Sequence, residues 1–290
     1  MATATKPQVI GVLGLGAMGA GVAADLRTSG FTVVSALEGR SAKTRERAEK
    51  AGVKVLANLD AVVAAADTFL SIVPADQAEP LAEAIAQRLK GKALHYVECN
   101  SITPSKTLRI AQCLTAAGAI VSDGGIIGPP PGGRSKTHLY VSGPHAEILS
   151  SLQSEAMPVR RLGASPSQAT EMKVLFSAAN KGAVALLANV LAAARSVGLQ
   201  DNVVDELDQR VPGLLGCLRH QAPDLGDKAA RWAVEMDDLA AGLAEMHCHP
   251  GYHTAAGDSY RQVAANLEGV PPSGDALSRV LAAWVGKASK

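Results

Sequence analysis

The chain has 290 residues, of which 47% are hydrophobic, 19% charged and 3% aromatic, so it is long enough for two domains with cores of aliphatic side chains. This composition excludes a disordered or fibrous protein. The 28 basic and 27 acidic residues give a net charge of +1 without a long basic run, which argues against a nucleic-acid partner.

The N-terminal segment and the cysteines predict a soluble protein of a reducing compartment. The first residues lead into an apolar stretch that glycines interrupt early, which fits neither a signal peptide nor a membrane span. The four cysteines form no CxxC pair, and this favours reduced thiols over disulfides. We therefore expect a cytoplasmic protein without a membrane partner.

In the first half of the chain, short apolar runs alternate with helical patterns, as expected for strand–helix units in a parallel sheet. The predicted strands are residues 9–13, 32–37, 68–72, 95–98, 120–122 and 139–141. The predicted helices are residues 20–29, 41–51, 77–89 and 105–117. Residues 1–164 are therefore predicted to be an α/β Rossmann domain, with a ligand in the crevice at the strand ends. The proline-rich run at residues 129–133 is predicted to be a loop.

A long helix is predicted to open the second half of the chain. Ser165 suits an N-cap, Pro166 suits the first helical position, and Gln168 stands three residues past the cap. The pattern runs to residues 197–198, a helix of about thirty residues and roughly 45 Å. Further helical patterns are residues 203–209, 228–246, 257–267 and 275–286. Residues 165–290 are therefore predicted to be an all-α substrate domain, joined to the first domain by the long helix.

A homodimer is predicted to form through this second domain. A helix of such length in an all-α domain commonly exposes more apolar surface than a monomer tolerates. Packing against a second copy of the chain would cover that surface.

A glycine-rich turn follows the first predicted strand and opens the first predicted helix. Its sequence is Gly14-Leu15-Gly16-Ala17-Met18-Gly19. In a dinucleotide site, Gly14 permits the tight turn, Gly16 lets backbone amides approach the pyrophosphate, and Gly19 allows helix and strand to pack closely. A GxGxxG pattern alone is weak, but between a strand and a helix near the N-terminus it predicts a nicotinamide dinucleotide site.

The residues after the second strand bear on the choice between NAD and NADP. Glu38, if it faces inward, would bond the ribose hydroxyls and repel a 2′-phosphate, which favours NAD. If Glu38 faces solvent instead, Arg40 and Ser41 at a helix start would hold that phosphate. The sequence leaves both alternatives open, and we favour NADP.

Three further motifs follow the glycine-rich turn in chain order. They are Gly39-Arg40-Ser41, Asn100-Ser101-Ile102-Thr103-Pro104 after a strand, and Lys173 early in the long helix. With the glycine-rich turn they resemble the β-hydroxyacid dehydrogenase and 6-phosphogluconate dehydrogenase superfamily, in which a long helix joins a Rossmann domain to an all-α domain. The resemblance covers essentially the whole chain. It implies an NAD(P)-dependent oxidoreductase that transfers hydride between nicotinamide and a small hydroxy or carbonyl substrate.

The resemblance also implies roles for particular residues. The lysine early in the family's long helix is a general acid/base, and Lys173 is its counterpart; a lysine suits this role because burial in a cleft brings its pKa toward neutrality. Val73 and Pro74 match the segment that flanks the nicotinamide, and Asn100 matches a position close to its carboxamide. By helical spacing, Ser177, Asn180 and Lys181 share a face with Lys173.

The chain departs from the family where the substrate would bind. Phe176 stands where the family has an asparagine, and Ile127-Gly128-Pro129 stand where it has Ser-Gly-Gly. Isoleucine cannot donate a hydrogen bond to a carboxylate, which argues against a simple 3-hydroxy acid. The alternative is imine reductase-like reduction of a C=N bond, since imine reductases also have less polar pockets. The candidate substrate residues are Gly125, Ile127, Gly128, Phe176, Ser177, Asn180 and His253.

Three histidines and a cysteine lie close together in residues 247–253 and could ligate a metal. Their spacing matches no zinc signature, and hydride transfer needs no metal, so we predict no metal site and take His253 as a substrate contact. A third hypothesis, from another class, is a non-catalytic dinucleotide sensor, which would keep the glycine-rich turn but would not need Lys173.

Overall fold

The computed structural model describes residues 8–133, 135–268 and 275–285. The chain forms two compact units, Met1–Lys173 and Val174–Lys290. The division falls after Lys173 because the start of the long helix belongs to the first unit. There, the Thr170 amide and hydroxyl donate to the Asp123 carboxylate at 2.8 and 2.7 Å. The boundary that we predicted, after residue 164, lies earlier in the chain.

Eight strands form one sheet in the first unit, in the order β3-β2-β1-β4-β5-β6-β7-β8. They are β1 (Val9–Leu13), β2 (Thr32–Ala36), β3 (Lys54–Leu56), β4 (Thr68–Ser71), β5 (His95–Glu98), β6 (Ile120–Ile127), β7 (His138–Ser142) and β8 (Val159–Arg161). Strands β1 to β6 are parallel, whereas β7 is antiparallel to β6. The strand order reverses between β1 and β4, so a ligand crevice is expected at their carboxyl ends.

Helices cover both faces of this sheet, because successive strand residues point to opposite faces and both sets are apolar. The helices are α1 (Ala17–Thr28), α2 (Ala42–Lys50), α3 (Leu59–Ala65), α4 (Ala78–Ala86) and α5 (Pro104–Ala116). Leu70 and Val97 belong to one core, while their neighbours Phe69 and Tyr96 stack at 5.8 Å in the other. The predicted Rossmann-like domain is confirmed.

The six predicted strands are all present, but the sequence pattern missed three short elements. Strands β3 and β8 have three residues each and are largely exposed, which leaves too little alternation to detect. Helix α3 was missed because its alanine-rich sequence carries little periodic contrast. Strand β6 is longer than predicted, because Gly124 and Gly125 interrupt its apolar pattern although both are buried in the sheet.

The proline-rich run forms a loop, as predicted, and it packs against α1. A Cβ on Gly21 would lie 2.8 Å from Pro130 and 3.1 Å from Pro131. The loop therefore lies close to the helix that follows the glycine-rich turn.

The second unit is helical, as predicted, and no strand is present among its described residues. Its helices are α6 (Gln168–Ser196), which begins in the first unit, α7 (Gln200–Arg210), α8 (Gly216–Glu245), α9 (Gly251–Leu267) and α10 (Ala276–Trp284). Helix α6 begins at Gln168, three residues after the predicted N-cap Ser165, and the Glu171 amide donates to the Ser167 carbonyl at 2.9 Å at its start. Gly286, at the end of the last predicted helix, lies outside the described residues.

Helix α6 is long and apolar enough to cross a membrane by length and composition. Its most apolar window has a mean hydropathy of 1.5, and 44% of that window is buried inside the protein. Val184, Leu187 and Leu191 of α6 belong to the apolar core of the second unit. The core helix of a globular protein has the same properties, so this helix is weak evidence for a membrane.

His95 is a buried histidine at the amino end of β5, away from the strand ends that form the crevice. It is 5% exposed, and its Nε2 lies 2.8 Å from the Ser122 hydroxyl oxygen. Burial, reinforced by His145, lowers the pKa of His95 from 6.5 to about 4. We expect the free energy of unfolding to fall as the pH falls from about 6.5 to about 4, by up to about 3 kcal/mol, because only the unfolded chain then protonates this histidine.

In the variant His95→Gln, the free energy of unfolding should lose the pH dependence that His95 causes. Urea unfolding at several pH values measures it. His220→Gln is the matched control, since His220 is exposed. All other titrating groups are present in the wild type and in both variants, so their contributions to the pH dependence cancel when the three are compared. A pH dependence in His95→Gln equal to that of the wild type would contradict the prediction.

Candidate active site

The turn between β1 and α1 requires glycine at two of its three glycine positions. Gly14 has a φ of +93°, and a Cβ there would lie 2.1 Å from the Ile72 carbonyl oxygen. A Cβ on Gly19 would lie 2.1 Å from the Gly14 carbonyl oxygen, so α1 packs directly on the turn. Gly16 is exposed, and a Cβ there would meet no described atom within 4 Å. The fold therefore needs Gly14 and Gly19, whereas Gly16 borders open space.

The N-terminus of α1 has the properties of an anion site. Among the described residues, no side chain caps it at Gly16, and its first turn contains no acidic residue. The first amides of a helix lack partners within the helix and carry partial positive charge. Leu15 is buried, while Ala17 is exposed and Met18 half-buried. A pyrophosphate group fits this combination of open space and free amides.

The segment after β2 is exposed, including Glu38, Arg40 and Ser41. The Ser41 hydroxyl caps α2 by accepting the Thr44 amide at 3.3 Å. Arg45 donates to the Leu37 carbonyl at 2.8 Å and so fixes the preceding turn. Glu38 is thus exposed in the same turn as Arg40 and Ser41, and the choice between these residues as ligands of the cofactor ribose or of a 2′-phosphate stays a prediction.

Asn100 joins the carboxyl ends of β4 and β5. Its Oδ1 accepts the Val73 amide at 2.6 Å, and its Nδ2 donates to the Ser71 hydroxyl at 2.8 Å. The residue is 3% exposed, so its side chain serves to hold the Val73–Pro74 segment in place. Contact between Asn100 and the carboxamide of a cofactor stays a prediction.

Lys173 lies over the ends of β5 and β6, where its Nζ donates to the Cys99 carbonyl at 3.3 Å. Gly125 allows this approach, because a Cβ there would lie 2.5 Å from the Ala169 carbonyl oxygen and 3.5 Å from the Lys173 Cβ. The hydrogen bonds from Thr170 to Asp123 hold the same helical turn on the sheet. The structure thus places Lys173, the predicted Gly125 and the segment around Asn100 together.

Two buried carboxyl groups, each 1% exposed, lie side by side on neighbouring strands: Glu98 ends β5, and Asp123 is its partner within β6. Burial raises the pKa of Glu98 from 4.5 to about 7, although hydrogen bonds from the Asn100 amide and Tyr96 hydroxyl and the charge of Lys173 act in the opposite direction. Burial likewise raises the pKa of Asp123 from 3.8 to about 6, opposed by hydrogen bonds from Thr170 and Ser142. Shifted carboxyl groups of this kind concentrate at functional sites. Glu98, Asp123 and Thr170 were not predicted as site residues; the available signal was an acidic residue at the end of the predicted strand 95–98 and another directly after the predicted strand 120–122.

Two other predicted substrate residues lie at the end of β6 and in the turn that follows it. Ile127 is half-buried at the end of this strand, opposite His138 in β7. Gly128 has a φ of +127°, and a Cβ there would lie 2.9 Å from the Lys136 carbonyl oxygen. The turn itself therefore requires Gly128, and a substrate contact at either position stays a prediction.

Four predicted substrate residues lie in the second unit. On α6, Phe176 is 46% exposed, while Ser177 and Asn180 are half-buried. The Nε2 of His253 lies 3.2 Å from the Ala178 carbonyl oxygen, which joins the first turn of α9 to α6. His253 therefore has a role in helix packing, and its contact with substrate stays a prediction.

The other histidines of the 247–253 segment shape the connection between α8 and α9. His247 has a φ of +62° at the end of α8, and the next amide, of Cys248, donates to the Leu243 carbonyl at 2.9 Å. His249 accepts the Gly251 amide through Nδ1 at 3.1 Å. Over the described ranges of the chain, no group of three or more His, Cys, Asp or Glu side chains is placed to hold a metal.

Comparison with known families finds two matches that together span most of the chain. Residues 9–154 match the NAD binding domain of 6-phosphogluconate dehydrogenase. Residues 194–263 match a domain of unknown function, DUF1932. The first match contains the glycine-rich turn and all strands up to β7, and the second lies within the helical unit.

Individual relatives agree with these matches. The chain is 28% identical to an uncharacterized 28.5 kDa protein of Methanothermus fervidus over 177 residues, 61% of this chain and 67% of that protein. It is 25% identical to MTH1747, a conserved protein of unknown function described as similar to 3-hydroxyacid dehydrogenases, with a TM-score of 0.71 over 87% of this chain and 96% of that one.

Two enzymes share the fold at lower identity. The 3-hydroxyisobutyrate dehydrogenase of Mycobacterium tuberculosis, in a structure with L-serine, is 16% identical, with a TM-score of 0.74 over 94% of this chain and 98% of that one. An imine reductase of Streptomyces aurantiacus is 21% identical, with a TM-score of 0.58 over 95% of this chain and 99% of that one.

Proposed function

Because the chain belongs to the family of the NAD binding domain of 6-phosphogluconate dehydrogenase, we propose that it is a dehydrogenase or reductase that acts on a small hydroxy or carbonyl substrate. The observation that carries this proposal is the position of Lys173, whose Nζ is held at the Cys99 carbonyl over the ends of β5 and β6. The uncapped N-terminus of α1 lies in the same unit, after β1. An anion site and a positioned lysine in one unit supply what a nicotinamide-dependent oxidoreductase with a lysine acid/base would use.

Residues of the first unit would hold the cofactor. The backbone amides of residues 14–19 would bind the pyrophosphate, and Val73 and Pro74 would flank the nicotinamide. The hydrogen bond from the Val73 amide to Asn100 keeps this flanking segment in one conformation. When bound, the cofactor supplies or accepts the hydride, while the protein contributes orientation and proton transfer.

Lys173 would act as the general acid/base. During reduction its ammonium donates a proton to the substrate oxygen, and during oxidation the neutral amine takes that proton back. The Cys99 carbonyl fixes the direction of the side chain, and the bonds from Thr170 to Asp123 fix its backbone. A proton donor held in this way loses little conformational entropy when the substrate binds.

A second candidate activity is the reduction of a C=N bond. Ile127 ends β6 with a side chain that offers no hydrogen bond to a carboxylate, and an imine reductase shares the fold. Consumption of NADPH and NADH should therefore be compared with a 3-hydroxy acid, uncharged ketones and cyclic imines as substrates. Turnover of ketones supports the first proposal, and faster turnover of imines supports the second. Cofactor binding without turnover of any of them would instead support the non-catalytic sensor.

We propose NADP as the preferred cofactor, since Glu38 is exposed and Arg40 precedes the start of α2. Arg40→Ala is expected to weaken NADPH binding about tenfold and to leave NADH binding unchanged, because only NADPH carries the 2′-phosphate. Fluorescence titration measures both affinities. Arg47→Ala, which removes an arginine from α2 itself, is the control. If Arg40→Ala weakens the binding of NADPH and NADH equally, the proposed preference for NADP is contradicted.

We also propose a homodimer that forms through α6. Leu175, Leu186 and Val190 are 41–50% exposed, and their helical spacing places them along one side of this helix. Leu186→Asp is expected to halve the mass measured by light scattering at micromolar concentration. Val234→Asp, at an exposed position of α8, is the control. A monomeric wild-type protein at that concentration would overturn the proposal.

A further inference from the structure

Glu98 is a buried carboxyl group at the end of β5, one residue before the carbonyl that accepts Lys173. Its two oxygens have different donors: the Asn100 amide donates to Oε1 at 2.8 Å, and the Tyr96 hydroxyl donates to Oε2 at 3.1 Å. Tyr96 is itself fully buried and stacks on Phe69. The carboxyl group is therefore held in one orientation by two rigid donors.

The Glu98 carboxyl group also shapes the backbone that meets Lys173. Cys99 lies between Glu98 and Asn100, and the bond from the Asn100 amide to Glu98 closes a tight turn around it. The Asn100 side chain continues this network to Ser71 and to the Val73 amide. The direction of the Cys99 carbonyl, and with it the position of the Lys173 Nζ at 3.3 Å, depends on this turn.

The charged and titratable groups around Glu98 come from three elements. Tyr96 is on β5 with Cys99 directly after the strand, Asp123 is on β6, and Lys173 is on α6. Burial raises the pKa of Glu98, and the hydrogen bonds from Asn100 and Tyr96 oppose it; the Asp123 charge raises this pKa further, whereas the Lys173 charge lowers it. The interaction is reciprocal, so a Glu98 carboxylate favours the charged form of Lys173.

We propose that Glu98 is a positioning residue that directs the Cys99 carbonyl toward Lys173 and sets the pH at which Lys173 gains and loses its proton. This inference rests on the proposed function, in which Lys173 exchanges that proton with the substrate. Glu98 itself touches neither cofactor nor substrate in this scheme. It acts through the carbonyl and through its charge.

The pH dependence of Lys173 acetylation tests this proposal without knowledge of the substrate. Trace acetic anhydride labels the neutral amine, and mass spectrometry of the peptide gives the midpoint of the rate against pH. Glu98→Gln keeps the size and an oxygen that can accept the Asn100 amide, and it removes the charge, so the midpoint is expected to fall by about one pH unit. Glu98→Asp should recover part of this shift. Glu79→Gln is the matched control, since Glu79 forms its ion pair with Arg109 at the surface.

An unchanged or higher midpoint in Glu98→Gln would overturn the proposal. The reciprocal variant Lys173→Met tests the same coupling if Glu98→Gln folds poorly. The infrared band of the protonated Glu98 carboxyl group should then persist to higher pH than in the wild type, and a band that titrates at the same pH would overturn the coupling.

Turnover by the same preparations separates this inference from the proposed function. A shifted Lys173 profile without turnover of any ketone or imine would overturn the oxidoreductase function and leave the coupling established. Turnover with an unshifted profile would overturn the coupling and leave the oxidoreductase function in place.

Discussion

Lys173→Ala is expected to lower turnover about a thousandfold while NADPH still binds. General acid/base catalysis contributes about two to four orders of magnitude to a rate, and the alanine side chain cannot exchange a proton. Cofactor affinity should change little, because the amides of residues 14–19 and the segment held by Asn100 do not depend on the lysine. Stopped-flow absorbance of NADPH and fluorescence titration measure the two quantities.

The control for this variant is Lys54→Ala, which removes an exposed lysine from β3 of the same unit. It should keep wild-type turnover and affinity. Wild-type turnover in Lys173→Ala would exclude the lysine from the chemistry. Joint loss of turnover and cofactor binding would point instead to damage at the ends of β5 and β6.

Gly16→Ala is expected to weaken cofactor binding about a hundredfold, or roughly 2.7 kcal/mol, without destabilising the protein. A methyl group at this position meets no described atom within 4 Å, so the fold accommodates it. It would nevertheless occupy the open space through which a pyrophosphate reaches the first amides of α1. Fluorescence titration with NADPH and thermal unfolding without cofactor measure the two effects.

Gly14→Ala provides the contrasting variant, because its cost lies in the fold. Here the backbone has a φ of +93° and the added Cβ would lie 2.1 Å from the Ile72 carbonyl oxygen. The free energy of unfolding should fall by about 3 kcal/mol or more.

Normal NADPH affinity in Gly16→Ala would contradict the prediction for that variant. It would show that no cofactor phosphate binds next to Gly16, and the N-terminus of α1 would then not belong to the site.

Local patterns in the sequence were enough to predict the fold class and the main elements. The glycine-rich turn between β1 and α1 depends on residues adjacent in the chain, so a short motif specifies it. Alternating apolar runs and helical periodicity identified the six longer strands and the second, helical unit. The two three-residue strands and helix α3 were not predicted, because such short or alanine-rich segments carry little pattern of their own. They are stabilised by the neighbouring elements on which they pack.

The candidate site was only partly predictable, because its chemistry depends on contacts between distant residues. Lys173 and Gly125 were identified through a family resemblance, but the reason they meet is that Gly125 lacks a side chain under α6. Asp123 holds that helix through Thr170, 47 positions further along the chain.

Charge and motif do not distinguish Glu98 from any other acidic residue of the sequence, since the desolvation that raises its pKa to about 7 arises only when the strands assemble. The sequence by itself determined where the strands, helices and glycine-rich turn form, because those depend on near neighbours. Tertiary packing alone determined which carboxyl groups are buried beside Lys173, because burial and charge coupling exist only once the sheet and α6 are packed together.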